Sequence, residues 1–309
     1  MDLAQLRTLL HVADLGSLSK AADRLHIAQP ALSRQVRLLE QELGTRLFDR
    51  HGRGMRITET GEEVLRRAAR ILAEVEELRA AVGDPVRALT GRVSIGLPPT
   101  VSEVLSAPLI AAIRKAQPLL DVQLVDALSG YLADWMQRGE VDVAVLHEPQ
   151  ATRALRAKPL LLERLFLVGR ADARLSAKRP VPFSRLAGTR LVLPGRSHGL
   201  RAVIERFAAQ AGVPLDCPIE VDSLNTQKRL VQQGFGMTIL PLAPIHADVA
   251  AKRLSAAPLV KPAAVRRLTL AFPNERPVSR AARFAGEAIE SVVADLVRRG
   301  VWGGKLIAA

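Results

Sequence analysis

Apolar residues near the start of the chain repeat with the period of amphipathic helices. Two stripes consist of Leu3, Leu6, Leu10 and Ala13, and of Leu32, Val36, Leu39 and Leu43. Between them lies a shorter segment with the adjacent pair Ala21 and Ala22. Gly16 stands where the first helix would end, and Pro30 stands where a first-turn proline is tolerated. Because only a few residues separate the second and third segments, the pattern predicts a helix-turn-helix.

The polar face of the predicted third helix carries groups suited to DNA. These residues are Gln29, Ser33, Arg34 and Arg37. A major groove admits one α-helix, where amide and guanidinium groups contact base edges and hydroxyl or cationic groups contact phosphates. An ordinary solvated helix face is the alternative interpretation.

A hairpin is predicted next, in LFDRHGRGMRIT at residues 47–58. Arg50 and Arg53 lie at or near its tip, and glycines flank Arg53. Arginine is favoured in narrow minor grooves, so this hairpin is predicted to act as a DNA-binding wing.

A long amphipathic helix is predicted after the hairpin, with Thr60 and Glu63 as a capping box and Thr58 as a rival cap. Its apolar residues follow the alternating spacing of a coiled-coil seam. The seam consists of Val64, Ala68, Ile71, Val75, Leu78 and Val82. A dimer along this seam would suit paired half-sites on DNA, whereas packing on the same chain is the alternative.

From residue 91 onward, short apolar runs alternate with helical segments, which predicts an α/β fold with mostly parallel strands. Ligands in such folds bind beyond the carboxyl ends of strands, beside helix N-termini. The candidate effector contacts are Thr100, Ser102, Ser129, Arg196, His198 and Phe235. Arginine binds carboxylate or phosphate, so a small anionic or strongly polar ligand is expected. The alternative is helix capping for Thr100, Ser102 and Ser129. It is surface exposure for Arg196 and His198, and core packing for Phe235.

Composition narrows the function only a little. The net charge of +13 favours an anionic partner, but most of it lies outside residues 1–58. Cys217 is the single cysteine, which excludes an intrachain disulfide. Signal-peptide and membrane-spanning patterns are absent, so a cytoplasmic protein without membrane contact is expected. Catalytic and metal motifs are also absent, so we expect no enzyme, no catalytic residues, no metal and no cofactor.

The segments GSLSKAADRLHIAQPALSRQVRLLEQELGTRLFDR and RGMRITETG resemble the LysR-type transcriptional regulators. One departure is Ala28, where many members have Ser or Thr to cap the recognition helix. The resemblance implies that the residues meeting the major groove and its walls are Gln29, Pro30, Ser33, Arg34 and Arg37. It also implies that Arg50 and Arg53 make the wing contacts.

The rest of the chain resembles the effector domain of this family, which is similar to two-lobed periplasmic binding proteins. GLPPTVSEVLSAPLI, LSGYLADWMQRGEVDVAVLHEP, LVLPGRSHGLR and GFGMTILP look closest to the nitrogen-assimilation-control-like regulators. The expected fold is α/β with an α-rich N-terminal winged helix-turn-helix domain (1–58), a linker and dimerisation helix (59–90) and a two-lobed effector domain (91–309). Lobe I would span about 91–164 plus 267–309, and lobe II about 165–266.

The predicted function is control of transcription by a homodimer or homotetramer on promoter or operator DNA, modulated by the effector. RNA polymerase is a further candidate partner. The alternatives are a solute-binding protein for transport and a DNA-architectural protein without an effector. The first leaves residues 1–60 unexplained, and the second leaves the α/β domain unexplained.

Overall fold

The structure is a computed structural model that describes residues 1–51, 54–81, 89–147, 154–196, 198–274 and 277–307. The chain divides into two compact units, residues 1–87 and 88–309. Two predicted site residues, Arg53 and Val82, lie outside the described residues, as does the side chain of Arg50.

The N-terminal unit contains the predicted helix-turn-helix, hairpin and long helix. Its elements are α1 Leu3–Leu15, α2 Leu18–Leu25, α3 Gln29–Leu43, β1 Phe48–His51, β2 Gly54–Ile57 and α4 Glu59–Ala81. The two strands pair antiparallel. Leu9, Leu32 and Leu39 lie at the centre of the core that the helices share, and each is at most 1% exposed. The predicted winged helix-turn-helix is confirmed.

The start of α4 differs from the prediction. The hydroxyl of Thr58 accepts the backbone N–H of Gly61 at 2.9 Å, so the helix begins at Glu59. The predicted capping box of Thr60 and Glu63 is wrong, because the Glu63 carboxylate instead pairs with arginines one turn further along the helix.

The C-terminal unit is an α/β structure. Its helices are α5 Pro99–Ala116, α6 Ser129–Arg138, α7 Gly199–Ala211, α8 Leu224–Gln232, α9 His246–Ala250 and α10 Arg280–Arg298. Its strands are β3 Gly91–Leu97, β4 Leu120–Asp126, β5 Val143–His147, β6 Leu155–Arg170, β7 Val181–Pro182, β8 Arg190–Leu193, β9 Asp216–Glu220, β10 Thr238–Pro241, β11 Leu254–Val260, β12 Val265–Pro273 and β13 Lys305–Leu306.

Strand β6 joins the two lobes of this unit. Strands β4, β3 and β5 run parallel, and β12 lies antiparallel to both β5 and the first part of β6. The second part of β6 pairs antiparallel with β10 and β11. The sheet is therefore mixed, which corrects the expectation of mostly parallel strands. The neighbours of β6 in the sheet, β10, β11 and β12, all run in the direction opposite to it.

Two apolar cores distinguish the lobes. In lobe I, α5 and α10 pack on β3, β5 and β12 around residues such as Ile95, Leu105 and Ile289. In lobe II, α7 and α8 pack near β8, β10 and β11 around Ile204 and Ile239. The chain crosses between the lobes within β6 and again between β11 and β12. Groups near these crossings are therefore placed to contact both lobes.

Candidate DNA interface and effector site

Helix α3 has one buried and one exposed face. Leu32, Val36 and Leu39 are buried. The predicted DNA contacts lie on the other side, where Gln29, Pro30, Arg34 and Arg37 are exposed and Ser33 is partly exposed. The helix begins after Ala28, which makes no side-chain capping bond. Amide, hydroxyl and guanidinium groups thus share one accessible surface, as entry into a groove requires.

Hydrogen bonds tie α3 to its neighbours. The Thr8 hydroxyl on α1 donates to the side-chain oxygen of Gln35. Oε1 of Glu40 accepts the backbone N–H groups of Leu47 at 2.8 Å and Phe48 at 3.2 Å, which joins α3 to the start of the hairpin. No local sequence pattern marks these positioning residues, because their roles depend on tertiary contacts.

The hairpin packs against the turn between α1 and α2. The backbone N–H of Met55 donates to the carbonyl of Gly16 at 2.8 Å. A Cβ added at Gly54 would lie 2.5 Å from the same oxygen, so only glycine fits at this position. The strand register pairs Arg50 with Met55 and His51 with Gly54, so Arg50 lies one residue from the end of β1.

Helix α4 uses its apolar residues in two ways. Ala68 and Leu72 are buried in the core of the N-terminal unit, and Val64 packs against that core. Val64 and Ala68 thus contribute to the core of their own unit. The described seam residues that stay accessible are Ile71 (43% exposed), Val75 and Leu78 (68% exposed).

A buried ion pair lies where the lobes meet. Arg266 on β12 is 0% exposed, and its Nε donates to Oε1 of Glu163 on β6 at 2.7 Å. Nε1 of Trp302 donates to the other carboxylate oxygen at 3.0 Å. Nη1 of Arg266 donates to the Thr100 hydroxyl at 3.0 Å and lies 3.4 Å from Nε2 of His147. Burial lowers the pKa of Arg266, while the Glu163 carboxylate opposes that shift.

Three helix N-termini meet around His147. Ser129, the first residue of α6, accepts the backbone N–H of His147 at 3.0 Å, and Thr100 lies in the first turn of α5. His198 precedes α7, and its Nδ1 accepts the N–H of Leu200 at 3.0 Å. Its ring stacks on that of His147 with centroids 6.4 Å apart. We call the residues of the buried ion pair and of these helix starts the interlobe cluster: Thr100, Ser129, His147, Glu163, His198, Arg266 and Trp302. Because helix N-termini carry partial positive charge, this cluster favours a negatively charged ligand.

Both imidazoles are neutral at pH 7. Burial lowers the pKa of His198 to about 4, with Asp222 opposing the shift and Arg266 adding to it. Burial, followed by the nearby Arg266 and His198, holds the pKa of His147 well below its ordinary value. Neutral rings avoid a like-charge cost beside the buried guanidinium.

Other predicted effector residues have different surroundings. The hydroxyl of Ser102 lies 2.9 Å from that of Ser106. Arg196 is exposed, and Phe235 is 53% exposed. The interlobe cluster defined above brings together Thr100, Ser129 and His198 from the predicted set.

The capping alternative fails for Thr100 and Ser129, and the surface alternative fails for His198, which is 5% exposed. Helices α5 and α6 begin after Pro98 and Leu128, and neither start has a side-chain capping bond, so Thr100 and Ser129 are not caps. His198 does cap α7.

Four members of the cluster were not among the residues predicted from sequence, namely His147, Glu163, Arg266 and Trp302. His147 had a local signal, because it directly follows the apolar run predicted as a strand at residues 141–146. Several of the chosen candidates were selected because they follow such runs. Arg266 and Glu163 are 103 residues apart, and no local pattern joins them.

A winged helix-turn-helix with an accessible polar recognition face, followed by two α/β lobes around a polar cluster, defines a ligand-responsive DNA-binding regulator. The chain belongs to the LysR family of bacterial transcriptional regulators. The profile described as "Bacterial regulatory helix-turn-helix protein, lysR family" matches residues 3–62, and the LysR substrate binding domain profile matches residues 87–293. It is a transcriptional regulator with an effector-binding domain and is not an enzyme.

Individual relatives agree with this membership. The chain is 32% identical over 304 residues to the regulator BbuR of Bordetella bronchiseptica, covering 98% of this chain and 94% of BbuR. It is 36% identical over 245 residues to the nitrogen assimilation regulatory protein nac of Klebsiella aerogenes, covering 78% of each. A full-length OxyR variant from Pseudomonas aeruginosa matches with a TM-score of 0.70 and 26% identity, covering 94% of this chain and 96% of that one. The predicted family is confirmed, and the nac match fits the predicted subgroup.

None of the helices in the described ranges has the length and apolar character needed to cross a membrane. Within the same ranges, His, Cys, Asp and Glu side chains form no group of three or more that could hold a metal ion.

Proposed function

We propose that this regulator binds a pseudo-palindromic operator as a homodimer, which assembles further into tetramers, and that a small anionic molecule between its lobes alters that binding. The accessible polar face of α3 beside the hairpin carries the proposal. We assign residues 1–58 to DNA binding, 59–90 to the linker and dimerisation helix, and 91–309 to the effector. Lobe I takes about 91–164 plus 267–309, and lobe II about 165–266. RNA polymerase is a further proposed partner.

In this proposal, α3 enters the major groove and the hairpin contacts the neighbouring backbone or minor groove. The α3 contacts are Gln29, Pro30, Ser33, Arg34 and Arg37, and the wing contacts are Arg50 and Arg53. Arginine suits both places, because its guanidinium forms bidentate bonds with guanine and is favoured in narrow minor grooves.

Anisotropy titrations of promoter fragments from the protein's own locus test the DNA half. Arg34→Ala is expected to cost about 1–3 kcal/mol and to relax sequence preference, whereas Arg53→Ala weakens all sequences similarly and lowers the salt slope by about 1. Arg114→Ala, at an exposed position on α5, is the control. If Arg34→Ala left affinity and preference intact, α3 would not be the recognition helix.

Self-association is proposed to use the accessible stripe of α4. Leu78 exposes 68% of its surface, and Ile71 lies seven residues earlier on the same stripe. Sedimentation is expected to show that Leu78→Lys shifts the dimer toward monomer. Ala69→Lys, which adds the same single positive charge at an exposed position of α4 outside this stripe, should leave the dimer intact. A dimeric Leu78→Lys variant would remove this stripe from the interface.

The effector is proposed to bind the interlobe cluster, since its groups come from both lobes. Thr100, Ser129 and His147 belong to lobe I, and His198 begins a helix of lobe II. A ligand bonded to both sides would favour one lobe arrangement, and a coupling of about 1–3 kcal/mol would change DNA affinity several-fold to a hundredfold.

Substitutions at three further predicted effector residues test how far the site extends, and two of these residues have exposed side chains. If Arg196 clamps the anion at the mouth of the site, Arg196→Ala weakens calorimetric binding of organic acids. The same loss is expected for Phe235→Ala if Phe235 walls the pocket. Ser102→Ala tests the remaining predicted contact. Unchanged affinity in any of the three removes that residue from the site.

A further inference from the structure

Among the described residues, the interlobe cluster offers hydrogen-bond donors but no free carboxylate. The nearby Asp222 is exposed, and its Oδ1 already accepts a backbone N–H at 2.9 Å. Oε1 of Glu163 accepts from Arg266, and Oε2 accepts from Trp302, so both carboxylate oxygens are engaged. A guanidinium group only donates. Nη2 of Arg266 is buried and has no hydrogen-bond partner among the described residues.

His147 supplies a second unpartnered donor. Because Nη1 of Arg266 can only donate, the 3.4 Å contact makes Nε2 of His147 the acceptor. The neutral ring then carries its hydrogen on Nδ1, which is buried and lacks a partner within the described part of the chain. His198 has the opposite tautomer, since its Nδ1 accepts from Leu200 and its Nε2 carries the hydrogen.

Two hydroxyl groups add donors of the same kind. The Thr100 oxygen accepts from Arg266, and the Ser129 oxygen accepts from the His147 backbone. Each hydroxyl hydrogen is therefore directed to another acceptor. The cluster fits a ligand that accepts hydrogen bonds and donates none.

The surroundings of His147 limit the size of such a ligand. A Cβ added at Gly199 would lie 3.4 Å from Cβ of His147, so the start of α7 lies close against this residue. Nδ1 of His147 and Nη2 of Arg266 are both shielded from solvent. A buried donor without a partner is costly, so a small ligand that accepts from Nδ1–H of His147 gains affinity from it.

We infer that the effector is a compact anion that only accepts hydrogen bonds, a small monocarboxylate or an inorganic oxyanion held by Nδ1–H of His147, whose ring Arg266 orients through Nε2. This inference rests on the proposed role of the interlobe cluster as the effector site, and it specifies the ligand class. An amide or amine of similar size is rejected, because its N–H groups would meet other donors.

Isothermal titration of the full-length protein tests this ligand class. The probes are acetate and formate in one arm and phosphate and sulfate in the other, with acetamide and methylammonium as matched controls at constant ionic strength. We expect saturable binding in one anion arm, which identifies the source, and none for acetamide or methylammonium. His147→Phe keeps a ring but removes the donor, so it should weaken binding roughly tenfold or more. The exposed His246→Phe is its control.

Arg266→Lys provides a second variant that does not depend on the folding of His147→Phe. It keeps the charge and loses the planar group that contacts Nε2 of His147 and orients its ring, so binding should again fall. Acetamide binding as tightly as acetate, or unchanged affinity in a folded variant, overturns the inference. If only larger organic acids such as benzoate or citrate bind and alter DNA affinity, the compact class is wrong and the interlobe effector site stands. If no acid of either size binds, both fall.

Discussion

The outer face of α3 and the interlobe cluster both consist of polar groups, but they are built in opposite ways. On α3 the arginines are exposed, whereas Arg266, Glu163 and His147 are at most 5% exposed. The buried groups are bonded mainly to one another. Substitution on α3 should therefore change DNA affinity with little effect on folding, whereas substitution in the cluster should lower stability as well as effector binding.

The largest expected effect is that of Glu163→Gln. Removing this carboxylate leaves Arg266 as an uncompensated buried charge, which should lower the free energy of unfolding by about 3–5 kcal/mol. Glu290→Gln is the matched control, because Glu290 pairs with the partly exposed Lys158 and such pairs contribute at most about 1 kcal/mol. Equal losses in urea denaturation would show that burial does not distinguish the two pairs.

The next effect is a dependence of stability on pH. The folded protein holds the pKa of His198 at about 4, below the ordinary 6.5, so the unfolded state binds more protons between these values. Stability is therefore fully present above pH 6.5 and falls as the pH drops toward 4, by about 2–3 kcal/mol from this group.

The variant His198→Asn isolates that effect, because Asn retains a side-chain acceptor for the start of α7 and does not titrate. Its stability should decline less than that of the wild type between pH 6.5 and 4. Parallel pH profiles for the two proteins would show that His198 does not resist protonation.

A smaller gain is expected at the start of α3. Ala28→Ser supplies a side-chain oxygen for an unbonded first-turn N–H and should stabilise the protein by about 0.5–1 kcal/mol. Ala31→Ser, at an exposed position within α3, is the control and should give no gain. Thermal unfolding of both variants measures the difference, and equal midpoints would mean that the missing cap has no energetic consequence.

The smallest expected change is in the stability of Arg34→Ala. An exposed arginine away from the core should alter the free energy of unfolding by no more than about 0.5 kcal/mol, although DNA affinity falls. A loss comparable to that of Glu163→Gln in the same denaturation experiment would erase the contrast between the two polar surfaces.

The two regions also differ in how much the sequence reveals. The α3 face was predictable because Leu32, Val36 and Leu39 define the buried side of a helix by local periodicity alone. The pairing of Arg266 with Glu163 depends on the β6–β12 register, which no short segment encodes. Ser102 and Thr100 looked equivalent in sequence, but only Thr100 contacts Arg266.

The α4 seam shows a second limit of sequence patterns. Residues spaced by four and three positions suit both a coiled coil and packing on the same chain, so Val64 and Ala68 were indistinguishable from Leu78. The structure separates them, since Ala68 is 1% exposed and Leu78 is 68% exposed. Only the packing of α1 against α4 decides which residues remain available to a partner.

Coupling between the two polar regions is most directly tested by measuring promoter-fragment affinity with and without a saturating concentration of the anion that binds the interlobe cluster. We expect a change in Kd of about 5–150-fold, an equal change in anion affinity when DNA is bound, and loss of both in His147→Phe. An identical DNA Kd in the presence and absence of the bound anion would contradict this expectation.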